Sequence, residues 1–340
     1  MKKNILMLLS IFSALALLVG CGAQSTANIQ PPDEQAGETT EETASVEQQL
    51  STLSGGEYTP LRAFVDENIS SVSPELAGEM VQSLILSSIA ASEKLLEASS
   101  EYIYGENSRE IQSAIVAAIP EEMAQRCQGV VCADDKNILM ENLPDGEIKD
   151  TLSKFLEAGQ CLRNGEGTYF FVVDYPEYWE KYGDKVDAAT ADFLKLAAAE
   201  TREATLVSEI LSVDANELCE RAIAYETFLA QYPEFPMADT VRIYFNGTIY
   251  KLAYPTVYDR LVDDQGKVIT DLMVVYERLA GREDCPVLQG VGQNMLDFIA
   301  AQPDGVVADG YDMDALSENA SAVTGQAWQM ADELYGAISQ

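Results

Sequence analysis

Two carboxylates stand three residues apart in Asp174-Tyr175-Pro176-Glu177. Acidic pairs recur at Asp134-Asp135, Asp263-Asp264 and Glu283-Asp284, and a looser group at Asp309, Asp312 and Asp314. Paired carboxylates do acid–base chemistry when their surroundings keep one protonated and the other ionised. An acid followed by Glu three residues on also marks a helix start, and capping is the preferred reading of Asp174 and Glu177. Calcium asks for six or more oxygens on an ordered loop, and residues 309–314 do not follow the EF-hand spacing, so solvated loop acids are expected there. The chain contains no histidine. That excludes Ser-His-Asp and Cys-His nucleophile systems and every His-ligated zinc site. No P-loop, dinucleotide fingerprint, nucleophile elbow or metalloprotease helix occurs, and no cofactor is expected. A glycosidase built on carboxylates alone remains open, with nothing to single out its acid.

Cysteine is the other reactive type. Cys127 and Cys132 flank Gln128-Gly129-Val130-Val131, and a disulfide closing so short a loop contributes roughly 2 kcal/mol in the chain-entropy model. Cys161, Cys219 and Cys285 read equally well as buried thiols, which pack as small hydrophobes. Five cysteines besides Cys21 is an odd number, so at least one thiol is free or pairs between molecules.

The elements that carry these residues begin with an address. Met1-Lys2-Lys3 precedes an apolar run from Ile5 to Val19, then Gly20 and Cys21. A basic start, a short apolar core and small residues at the cut describe a signal peptide over residues 1–20. The core falls short of the roughly 20 residues that a membrane-spanning helix needs. Leu18-Val19-Gly20-Cys21 resembles the bacterial lipobox, and the resemblance implies diacylglycerol on the Cys21 thiol and a mature protein that starts there. The expected location is extracytoplasmic, on the cell surface or the periplasmic face of a membrane. Two or three acyl chains, at about 0.8 kcal/mol per buried methylene, hold a protein durably.

Residues 22–56 carry few large apolar side chains and include Pro31-Pro32 and Ser54-Gly55-Gly56. Such a composition predicts a disordered, lipid-bearing tether over 21–57, able to reach about 30–35 Å. Without Lys2 and Lys3 the mature chain sets 19 Lys and Arg against 56 Asp and Glu, a net of −37. That charge repels phosphate backbones, so nucleic acid is not an expected partner.

The rest reads as mainly α. Leu76, Met80 and Leu84 keep helical spacing after Pro74. Helices follow over Asn107–Ile119 and Asp145–Ala158, and a Gly-rich turn near 159–167 suggests a boundary between an N-terminal region, 58–160, and a C-terminal one, 161–340. Asn164-Gly165 with Thr168–Val173 predicts at most one small β-hairpin near residues 160–174. Beyond it come helical stripes: Val186, Ala189, Phe193 and Leu196; Leu218, Ala222, Tyr225 and Leu229; Leu272, Tyr276 and Leu279; Leu288, Val291, Met295 and Ile299. The last is Leu316, Ala320, Val323, Ala327, Met330 and Leu334 at heptad spacing.

Two internal echoes run through this half. Phe228-Leu-Ala-Gln-Tyr-Pro233 and Phe298-Ile-Ala-Ala-Gln-Pro303 lie 70 residues apart; Tyr225-Glu226 with Pro236, and Tyr276-Glu277 with Pro286, lie about 50 apart. Tyr225-x-x-Phe228-Leu229-x-x-Tyr232-Pro233-x-x-Pro236-x-Ala238 resembles the hairpin of tetratricopeptide-like repeats in bacterial envelope lipoproteins. The resemblance covers 214–253 well and 267–303 less well, and the family's 34-residue period is not kept. It implies helical hairpins in a bundle or short array whose face grips an envelope protein or a peptide, with Tyr225, Tyr232, Tyr244 and Tyr250 as candidate contacts. The expected function is therefore non-enzymatic binding by a membrane-anchored module. A solute-binding lipoprotein of a transporter and a carboxylate-based wall hydrolase are the alternatives.

Overall fold

The computed structural model describes residues 41–105, 107–121, 133–165, 168–207, 210–256, 258–307 and 314–338. Cys21, Cys127 and Cys132 lie outside them, as do Asp309 and Asp312. The described chain is mainly helical, as its periodicity predicts.

Helix α1 (Glu41–Leu53) falls inside the stretch expected to be tether. Val46 and Leu50, one turn apart, are 7% and 6% exposed and join the main core, so the expected tether is corrected to end before this helix. Two apolar residues are too few to order an isolated helix but enough to seat one on an existing surface. Next come α2 (Tyr58–Asn68) and the long α3 (Pro74–Tyr104), which starts on Pro74 with the Ser73 hydroxyl accepting from Leu76 N at 3.3 Å. Proline's fixed φ and missing N–H suit the first helical position.

Helices α4 (Ser108–Ala118), α5 (Ala133–Asn142) and α6 (Glu147–Glu157) lead into an antiparallel hairpin, β1 (Gln160–Gly165) and β2 (Thr168–Val173), within the expected region; the Asn-Gly turn signal is corrected, because Asn164 and Gly165 lie in β1, paired with Tyr169 and Thr168. These elements own a second, smaller core of Ile111, Ile115, Leu139, Leu152, Leu162 and Tyr169. The main core joins α1–α3 to residues 173–335 around it. A division near residue 160 therefore does not separate the cores: the second core is inserted between two parts of the first.

Three helical hairpins follow: α7 (Tyr175–Tyr182) with α8 (Ala188–Arg202), α9 (Ala215–Gln231) with α10 (Ala238–Ala253), and α11 (Thr270–Ala280) with α12 (Pro286–Ala301). Helix α13 (Asp314–Tyr335) packs on α10 and α12. A second antiparallel pairing, β3 (Leu206–Val207) with β4 (Ile210–Leu211), joins the first two hairpins and adds to the one hairpin expected. The second helices start at residues 188, 238 and 286, which supports the echo of about 50 residues. The 70-residue echo is corrected: Phe228 lies near the end of a first helix and Phe298 near the end of a second one, so they are not equivalent positions. Among the described residues, no helix is long and apolar enough to cross a membrane.

Local capping sets several of these starts. Asp174 accepts from Glu177 N at 3.1 Å, Asp187 from Thr190 N at 3.0 Å and Asp214 from Glu217 N at 2.9 Å. Each carboxylate supplies an acceptor to N–H groups that have none inside the helix.

Candidate functional site

The four candidate tyrosines do not converge. Tyr225 is 1% exposed, and its hydroxyl donates to Glu200, which also accepts from Thr205 N at 2.9 Å. Burial first, and then Glu200, holds the phenol far above its ordinary pKa. Tyr225 is thus corrected from a surface contact to an internal strut that ties α9 to the end of α8. Tyr276 does the same one hairpin later, fully buried and donating to Leu252 O at 2.6 Å near the end of α10. A sequence stripe cannot distinguish such a strut from an exposed ring, because both sit at helical spacing. Tyr244 is half-buried with its ring 5.9 Å from Tyr225, and Tyr232 leans on Phe228 at 5.2 Å. Tyr250 alone of the four is largely exposed, 5.8 Å from Tyr254.

The carboxylate pair proves local. Asp174 is fully buried, caps α7 and is ion-paired with Lys136, which also lies 3.1 Å from Glu177; Glu177 pairs in turn with Arg62. Burial pushes the Asp174 carboxyl up, while Glu177 is held down by Arg62 and Lys136 against its own burial. Shifts in opposite directions are what a catalytic pair needs, but both groups are engaged by bases and a helix end, which favours the capping role. Of the acidic pairs, Asp263 closes a turn by accepting from Gln265 N and Lys267 N at 2.8 and 2.9 Å, and Asp284 pairs with Arg282 at 2.7 Å. Cys161, Cys219 and Cys285 are all buried, and burial raises the thiols of Cys219 and Cys285 above their ordinary value. Such thiols are poor nucleophiles.

Among the described residues, an open cleft of about 440 Å³ lies where the α9–α10 corner meets the end of α13. That falls in the range of small-molecule and peptide sites. By contrast, the void in the second core, beneath Ile115 and Leu152, measures about 10 Å³, room for one water at most. Pro233 follows the end of α9 and Pro236 precedes α10, and the corner between them is two turns, closed by Phe235 N donating to Tyr232 O at 3.1 Å and Ala238 N to Phe235 O at 2.9 Å. Phe235 packs there at 5.2 Å from Phe193 and 5.5 Å from Phe228. Leu334, 50% exposed, forms the opposite wall.

Arg242 lines this cleft and is 2% exposed. It donates to Asp332 at 3.0 Å and to Gly336 O, and lies 5.8 Å from the Tyr335 ring. Its Nε is buried and has no hydrogen-bond partner. Burial lowers the guanidinium pKa, with Asp332 opposing the shift. Behind it the Tyr335 hydroxyl donates to Glu226 at 2.8 Å. Glu226, fully buried on α9, also accepts from Val287 N at 2.8 Å and Leu288 N at 3.0 Å. A carboxylate from one helix thereby caps the N-terminus of α12 and fastens α13, so the cleft rests on a cross-linked frame. Burial holds the Glu226 carboxyl above its usual range against these donors.

The sequence flags Pro233 and Pro236 but not Arg242, Glu226, Leu334 or Tyr335 as parts of one site. The heptad stripe is corrected as well. Leu316, Ala320, Val323 and Ala327 are buried, but the buried line continues through Ala331 and Tyr335, leaving Met330 and Leu334 exposed. A straight helix turns once in 3.6 residues, so a strict heptad drifts off its buried face by about 20° per repeat.

No family model, curated protein or solved structure matches the chain.

Proposed function

We propose that this chain is an extracytoplasmic lipoprotein, anchored through Cys21, whose helical hairpins bind a protein or peptide partner without catalysing a reaction. The observation that carries the reading is the cleft between the α9–α10 corner and α13. It combines the exposed Leu334, a buried arginine and a rigid frame, with Glu234 and Asp239 among its lining. Consecutive hairpins with second helices starting about every 50 residues support it, because stacked hairpins present extended surfaces for binding. The anchor and the address rest on the signal-like residues 1–20 and the lipobox resemblance at Leu18–Cys21.

The test is affinity capture after crosslinking in intact cells, using the full chain with a tag inserted between residues 30 and 40. One protein recovered with the wild type and lost with Leu334→Glu supports the reading, since Leu334 is half exposed and its replacement leaves the core intact. Recovery unaffected by the substitution removes the cleft from the proposal. A solute-binding role would instead show as a melting-temperature rise on adding a small metabolite.

A further inference from the structure

We infer that the occupant of the cleft is a basic peptide segment with an apolar anchor residue; this rests on the binding-module reading above. The walls come from two stretches of strongly biased charge. Residues 222–241 contain Glu226, Glu234 and Asp239 and no Lys or Arg. From residue 283 to the end there are ten Asp and Glu and no Lys or Arg. Among the described residues that line the cleft the one base is Arg242, and Asp332 and the Gly336 carbonyl engage it. Glu234 and Asp239 outnumber that base among the lining residues, so the cleft's formal charge is negative. Complementary charge at a rim steers and selects a partner, which here must be cationic.

Charge alone would make any part of this acidic surface attractive to a base, so the anchor decides the place. Leu334 faces the Pro233–Pro236 corner across a cleft whose floor includes Leu229 and Tyr335. An aliphatic or aromatic side chain buried there recovers the apolar area that Leu334 now exposes to water.

The experiment uses the full chain in detergent and fluorescence anisotropy with three labelled hexapeptides. The first has Trp-Leu between pairs of lysines, the second the same centre between pairs of glutamates, and the third Gly-Ser between pairs of lysines. The expected result is binding of the first, none of the second, and affinity about tenfold weaker for the third. Leu334→Ser, and the double variant Glu234→Gln with Asp239→Asn, should each weaken the first peptide about tenfold. The control pair Asp264→Asn with Glu283→Gln, exposed acids outside the cleft, should leave it unchanged. Equal affinity for the glutamate peptide overturns the inference. So does competition by spermine as strong as by the first peptide, or wild-type affinity in both cleft variants. If the lysine peptide fails to bind while crosslinked capture still depends on Leu334, the basic class falls and the module reading stands. If both fail, both fall.

Discussion

Lys251 and Asp259 form an ion pair with side chains only 5% and 1% exposed, and the pair should dominate the stability of the segment that joins α10 to the next hairpin. Lys251 Nζ lies 3.0 and 2.9 Å from the two Asp259 oxygens. Asp259 also accepts from Leu211 N at 2.8 Å and from the Thr256 hydroxyl at 2.7 Å, so one carboxylate binds β4 to the end of α10. Two unit charges about 3 Å apart attract by roughly 5 kcal/mol at an effective dielectric of 20. Lys251→Met removes that attraction and leaves a buried carboxylate with two neutral donors, which costs about 3–5 kcal/mol. The same change at the exposed pair, Arg278→Met opposite Glu220, should cost less than about 1 kcal/mol, because solvent screens it. Urea unfolding followed by tryptophan fluorescence reads both, with a midpoint drop of about 1–2 M for Lys251→Met and little change for Arg278→Met. Adding Asp259→Asn to Lys251→Met should restore part of the loss, since no charge then remains buried without its partner. Equal costs at the two pairs, or an Asp259→Asn effect that simply adds, would refute the claim that burial sets the magnitude.

Glu226 makes a prediction in pH. Its folded pKa lies above the unfolded value, so folding takes up a proton; the contribution is fully present below about pH 4 and is lost as pH rises through the folded value. Glu226→Gln cannot titrate, so the stability of the wild type relative to this variant should fall as pH rises above about 4; a difference that stays flat or grows would contradict the assignment. Gly159→Ala should destabilise by about 2 kcal/mol or more by thermal melting, because φ is +78° there and an added Cβ would lie 2.4 Å from the hydroxyls of both Tyr58 and Tyr178. An unchanged melting temperature would mean that this pair of tyrosines can part freely. Leu50→Ala should cost about 2 kcal/mol in urea unfolding if α1 belongs to the core; no effect would return residues 41–53 to the tether.

What could be read from the residues alone is what acts over short distances along the chain. Asp174 and Asp214 announce their helices because a cap reaches only three residues forward. Leu288, Val291, Met295 and Ile299 announce theirs because one buried face repeats with the helical turn. The β-branched and aromatic run Thr168–Val173 announces β2, because strand preference is carried residue by residue. Tertiary packing decided the rest. Val46 and Leu50 are too sparse to signal a helix, and only the core they meet makes one. Tyr225 and Tyr250 look alike in sequence; one is an internal strut and the other lies open because of which helices pack beside each. Arg242 and Asp332 lie ninety residues apart, and the cleft walls at Pro236 and Leu334 are farther apart still in the chain. No periodicity encodes such a separation: the pairing follows from how α13 settles against α10.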